Sequence, residues 1–238
     1  MSVIILFLAG IAAIAGWWLT RQRLTAKPWL EEGVIGDLPH EGERGTAAKV
    51  GLGVFLAVAG SLFSLVISAY FVRKDLSLPG GADWRPQPVP NLLWLNTGVL
   101  ILSSLALQWT HGAAKRDRIE DVRSGLSIAG ASTLLFLVGQ LAAWRQLAEA
   151  GYFAASSPAA AFFYLITGIH GLHVAGGLVA LGRAGAKAWR GATAEQLRLS
   201  VGLCTAYWHF LLVVWLIILA LLTGWADDFI VICRAVVP

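Results

Sequence analysis

Residues 158–182, PAAAFFYLITGIHGLHVAGGLVALG, decide the fold. The run contains no Asp, Glu, Lys or Arg, and carries two histidines three apart, His170 and His173. As a helix rising ~1.5 Å per residue it is long enough to cross a hydrocarbon core about 30 Å thick. Ionisable side chains are expensive at that depth and turn toward the interior of a helix bundle. The segment therefore predicts a transmembrane helix, and function has to be sought in what the helices hold between them.

Composition extends that reading to the whole chain. Of 238 residues, 57% are hydrophobic and 13% are charged, against roughly 25% charged in a soluble domain. The formal net charge of +4 comes from basic residues in loops between apolar runs, where membrane orientation accounts for them and nucleic acid is excluded as a partner. Two cysteines, Cys204 and Cys233, have no metal-type spacing and form no disulfide framework. Cys204, inside an apolar run, reads as a small packing residue.

Outward from the central run, the chain repeats one pattern. Upstream lie apolar runs at 126–146, with Gln140 and Trp144, at 91–110 (NLLWLNTGVLILSSLALQWT), and at 47–72. Prolines 79, 86, 88 and 90 forbid continuous helix between the last two. Downstream, 199–223 contains Tyr207-Trp208-His209-Phe210 and Trp215. The run at 2–19, SVIILFLAGIAAIAGWWL, has no basic residue before it and no A-x-A-like site after it. It reads as a retained helix anchored by Trp17, Trp18 and Arg21, not as a signal peptide. The expectation is an all-α, polytopic membrane bundle of six transmembrane helices. An N-terminal helix (1–20), a polar cytoplasmic linker (21–46), a five-helix core (47–224) and a short outer tail (225–238) divide the chain. Thirteen of the eighteen Lys and Arg fall on one side, which predicts both termini outside, in the periplasm of a bacterial inner membrane.

That topology sets polar side chains in a midplane layer. Measured from the inner end, His173 lies ~14 Å deep, His209 ~15 Å and His170 ~18 Å, while Asn96, Gln140 and Thr167 fall near ~21 Å. Interhelical hydrogen bonds are the cheapest supply of partners there, so these residues are expected to bind the bundle together. Three sharper readings compete. A metal or haem site from His170, His173 and His209 suits imidazole chemistry, but no carboxylate or thiolate joins them with motif spacing. A proton path is a frequent use of intramembrane ionisable groups, yet the apolar runs contain no Asp or Glu. A lipid site would use inner-face Arg and Lys for headgroups and aromatic residues for chains. Gly171 with Ala175, and Gly176 with Ala180, have the small-xxx-small spacing of close helix seams. Trp208 and Trp215, seven apart, share a face directed at a neighbouring helix or a partner protein.

The residues also resemble a family. Phe163-Tyr164-x-x-Thr167-Gly168-x-His170-Gly171-Leu172-His173-Val174 is similar to the signature of subunit III of the haem–copper respiratory oxidases, the cytochrome c and quinol oxidases. Tyr207-Trp208-His209-Phe210 with Val214-Trp215 resembles a second motif of that family. Asn96, Ser103-Ser104, Phe136 and Gln140 fit weaker patterns, and the likeness runs from about Lys49 to Gly224. The resemblance implies a bundle with no catalytic, cofactor-binding or metal-binding residue of its own. Haem and copper would reside in partner subunits. It also implies contact with oxidase subunit I, subunit II in the same complex, and bound phospholipid. Asn96, Gln140, Tyr164, Thr167, Gly168, His170, Gly171, His173, Tyr207, Trp208, His209 and Trp215 would then be motif and packing residues. The family's long form has seven helices; here one helix precedes the five-helix core, so a complete V-shaped lipid cleft is not implied. Where the family commonly places carboxylates, this chain has Ala59, Ala143 and Leu212, and no role of those acids carries over. A small six-helix membrane transporter and an accessory subunit of a nitric-oxide-reductase-like complex are the alternatives.

Overall fold

A computed structural model describes residues 41–77, 83–84 and 88–225, with side chains from residue 45 onward. Those residues are helical wherever they are regular: α1 Glu41–Asp75, α2 Leu92–Lys115, α3 Ile119–Glu149, α4 Pro158–Trp189 and α5 Ala194–Leu222. Five helices are long and apolar enough to span a membrane. The expected sixth, at 2–19, lies outside the described residues, as do all but the end of the linker and all but the first residue of the tail.

Each helix is bounded by local chemistry. Pro158, whose missing N–H costs nothing in a first turn, begins α4, and the Ser157 hydroxyl caps it by accepting the Ala160 N–H at 3.2 Å. A capping box starts α5: Thr193 Oγ1 accepts from the Gln196 N–H while Gln196 Oε1 accepts from the Thr193 N–H. Helices α2, α3 and α4 stop in the same way. Asp117 (φ 57°), Gly151 (φ 86°) and Gly191 (φ 91°) turn left-handed. The next N–H then reaches back to the carbonyl of Ala113, Leu147 and Lys187 respectively, as in a Schellman motif.

Helices α2, α3, α4 and α5 form a closed ring in which each packs on the next, and the α2–α3 seam is the most extensive. The helix α1 joins from outside by side chains, foremost rings: Phe63 reaches His170 and His173, Phe55 reaches Tyr207, and Tyr70 reaches Phe162 and Trp84. Near the start of α3, Arg123 donates through Nε to Ala188 O at 3.2 Å, pairs with Glu120 and sits 5.5 Å from the Trp189 ring centroid. It joins α3 to α4 where the chain leaves the membrane.

Candidate functional site

The polar network forms because the helix interiors supply Ser, Thr and Trp side chains that reach one another across the seams. Thr133 on α3 is its centre. Its hydroxyl donates to Ala129 O at 2.7 Å, accepts the Trp208 indole N–H from α5 at 3.2 Å, and lies 2.8 Å from Ser103 Oγ on α2. One oxygen thus joins three helices. Two turns further along α5, Trp215 gives its N–H to Thr97 Oγ1 at 2.9 Å. Between α3 and α4, Trp144 donates to Thr167 Oγ1 at 3.1 Å. The Tyr164 hydroxyl fastens the α3–α4 loop by donating to Tyr152 O at 2.8 Å, and Tyr207 donates to His173 O at 2.9 Å. An interhelical hydrogen bond in a membrane is worth about 0.6 kcal/mol on average, so the layer holds by number.

The three histidines do not converge. His170 is fully buried among Phe63, Phe136 and Trp215, with ring centroids 6.3, 5.9 and 5.1 Å away. His173 is half-buried, and its Nδ1–H donates to Ile169 O at 2.8 Å. His209 is exposed on α5, where Nδ1–H donates to Thr205 O at 2.8 Å with Ser104 Oγ at 3.3 Å. A carbonyl only accepts, so Nδ1 carries the proton in both. Among the described residues no three His, Cys, Asp or Glu are placed to hold a metal ion.

Seven of the twelve motif residues are buried: Asn96, Gln140, Thr167, His170, Tyr207, Trp208 and Trp215. Tyr164, Gly168, Gly171 and His173 are intermediate. Trp208 and Trp215 are fully enclosed, which settles their shared face as interior and leaves none of it to a partner. The small-residue seams require correction. A methyl at Gly171 or Gly176 would meet nothing within 4 Å, and Ala180 is exposed. Close approach occurs at Gly177 against Tyr207 and Trp208, at Gly139 against Asn96, and at Gly125 against Thr110. Spacing gave the right helix and the wrong azimuth. Trp84, in the proline-rich segment between α1 and α2, is buried against Tyr70 and Phe162. Thr133, Thr97 and Ser103 carried one readable signal, hydroxyls inside apolar runs.

A second feature is an apolar groove of about 390 Å³ between α1, α4 and α5. Leu52 and Phe55 form one wall, His173 and Gly176 the floor, and Cys204 and Tyr207 the other wall. It lies where Leu52 and Phe55 of α1 stand opposite an α4 surface that includes Gly176, Gly177 and Ala180.

A ring of long apolar helices joined by neutral hydrogen bonds defines an integral membrane protein of the helix-bundle class. Comparison with known proteins gives its family. Residues 24–227 match the family described as "Cytochrome c oxidase subunit III". A Mycobacterium tuberculosis protein named "Probable cytochrome c oxidase subunit 3" is 34% identical over 184 residues, covering 74% of this chain and 87% of the relative. "Cytochrome c oxidase subunit 3" of Thermostichus vulcanus is 30% identical over 195 residues, covering 80% and 94%. That of Artemia franciscana is 29% identical over 204 residues, covering 82% and 77%. The chain belongs to the cytochrome c oxidase subunit III family. It is an accessory, non-catalytic subunit of a terminal oxidase in aerobic respiratory electron transport. The family is generally without metal cofactors of its own. The transporter and nitric-oxide-reductase-like alternatives are not favoured.

Proposed function

We propose that this chain docks against oxidase subunit I, shares its complex with subunit II, and seats a phospholipid acyl chain in the groove beside His173. In this reading the haem and copper belong to the partner subunits. The twelve motif residues serve packing, and 47–224 is the docking core. The span at 1–20 and the cytoplasmic linker at 21–46 precede it, and the tail at 225–238 lies outside. The lysine and arginine asymmetry supports a bacterial inner membrane with both termini in the periplasm.

The groove carries the proposal. Its walls are apolar, Phe55 and Leu172 at its edge are exposed, and its floor at Gly176 leaves open space where a side chain would stand. An acyl chain gains dispersion contacts there without the loss of a hydrogen bond, because Tyr207 and His173 Nδ1 are already engaged. The test is native mass spectrometry of the purified oxidase with wild-type chain and with Gly176→Leu. Filling the floor is expected to remove one retained phospholipid and to shorten the active lifetime during turnover. An unchanged lipid count in the variant would refute the groove as the seat.

A further inference from the structure

Asn96, Gln140 and His170 are 2%, 3% and 0% exposed. Among the described residues, Asn96 Nδ2, both polar atoms of the Gln140 amide and both ring nitrogens of His170 are buried without a hydrogen-bond partner. Such groups are costly and scarce in folded proteins, and each requires an explanation.

These three side chains lie at one height. Asn96 rests against Gly139, the residue before Gln140, and Ser103 meets Thr133 two turns further along. The α2–α3 register therefore sets Asn96 beside Gln140. Trp144 meets Thr167; one turn back on α3 and one turn on along α4, the same antiparallel register sets Gln140 beside His170. The fourth side closes at Trp215, which donates to Thr97 next to Asn96 and holds its ring 5.1 Å from His170. Gln140 shares its buried face of α3 with Phe136, which touches the His170 ring, and with Ala143, which leaves only a methyl beside the amide.

We infer that ordered water bridges the Gln140 amide, the His170 imidazole and Asn96 Nδ2, making a small hydrated node at the centre of the four-helix ring. The chemistry selects water. Neutral imidazole brings one donor and one acceptor, the Gln140 amide brings both kinds, and Asn96 Nδ2 brings a donor. A direct chain from Asn96 Nδ2 to Gln140 Oε1 and from Gln140 Nε2 to the imidazole acceptor would still leave the imidazole N–H unpaired, whereas one or two waters with three or four partners each complete the set. A cation is a poor fit, since the apolar runs supply no carboxylate.

The test uses the intact oxidase. A density map fine enough to show waters is expected to place one within hydrogen-bond distance of both Gln140 and His170. Thermal midpoints of complexes carrying Gln140→Met, His170→Phe and both are expected to be non-additive, the double variant losing clearly less than the two single losses together. Additive losses would sever the proposed link and overturn the inference. Non-additive losses with a direct Gln140–His170 bond and no water in the map would overturn it as well. The wild-type map needs no variant, so a variant that fails to assemble leaves the decision intact.

Discussion

Thr133 shows what a single hydroxyl does inside a membrane. It completes its own valence by donating to Ala129 O, and its lone pairs then become the acceptor site for Trp208 while Ser103 lies 2.8 Å away. Replacing it by valine keeps the shape but leaves an indole N–H buried without its acceptor, where no water competes. A buried unsatisfied donor costs about 1–3 kcal/mol, tempered by the modest worth of polar pairs in membranes. Thr133→Val is thus expected to destabilise the subunit by about 1–2 kcal/mol. Trp208→Phe removes the donor instead, leaving an acceptor still engaged with α2, so its polar share of the loss is the smaller. Thr133→Ser, which keeps the hydroxyl, separates the bond from the methyl. The thermal midpoint at which the subunit leaves the solubilised oxidase measures all three, and a Thr133→Val midpoint equal to wild type would remove Thr133 from the centre of the layer. A similar contrast holds for the histidines. His173 and His209 each donate to the carbonyl four residues back on their own helices, and His170 alone turns fully inward.

At the scale of the helix, azimuth decides which small residue matters. Gly177 on α4 faces Tyr207 and Trp208 so closely that an added methyl must displace a ring. Overpacking of this kind costs about 1–3 kcal/mol. Gly177→Ala is expected to lower the thermal midpoint of the complex, whereas Gly182→Ala, with open space at its Cβ, is expected to leave it unchanged or raise it slightly, since alanine favours helix by up to about 1 kcal/mol. Equal responses at the two positions would refute the assigned seam. The sequence could show that α4 carries small residues four apart but not which of its glycines faced α5. Successive residues turn about 100°, and only the neighbours' positions reveal which direction is inward. Helix ends were missed for a different reason. Hydropathy placed α4 at 158–182 and α3 at 126–146, but they run to Trp189 and from Ile119. Apolar composition marks the edge of the hydrocarbon, while backbone hydrogen bonding continues past it into residues such as Arg183 and Lys187. By contrast, the N-terminus of α4 was legible because Ser157-Pro158 is itself a start signal. The five described spans and the inward Gln140 and His170 were readable, since burying a polar group in lipid without a bundle to shelter it is too costly. The bonds of the layer were not readable, because Asn96 Nδ2, Gln140 and His170 make none and His173 bonds its own helix, while Thr133, Ser103, Thr97, Trp208 and Trp215 supply them.

Across the whole molecule, adhesion is uneven. The most apolar window of α1 is 11% buried, against 33–50% for the other four helices, and its grip is a line of rings on α4 and α5. This unevenness separates two roles. The four-helix ring is the rigid body, so stripping the chain from its oxidase is expected to leave the haem absorbance per subunit I unchanged; a loss of Soret intensity matching the loss of this chain would contradict its accessory role. The helix α1 is the adjustable wall of the groove, and Phe63 is its principal hold, lying 5.3 Å from His173 and 6.3 Å from His170 between ring centroids. Truncating a buried phenylalanine typically costs about 3–5 kcal/mol, more than the few other ring contacts of α1 can offset. In Phe63→Ala the wall should therefore separate while the ring stays closed. A short thiol cross-linker can read this in a background without the native cysteines. Gly60→Cys with Phe210→Cys bridges α1 to α5, because a Cβ at Gly60 lies 3.8 Å from the Phe210 ring. Ser104→Cys with His209→Cys bridges α2 to α5 inside the ring. Phe63→Ala is expected to lower the first yield several-fold and leave the second intact. If both yields fall together, α1 is an integral member of the core, and the groove beside it is a fixed cavity with no movable wall.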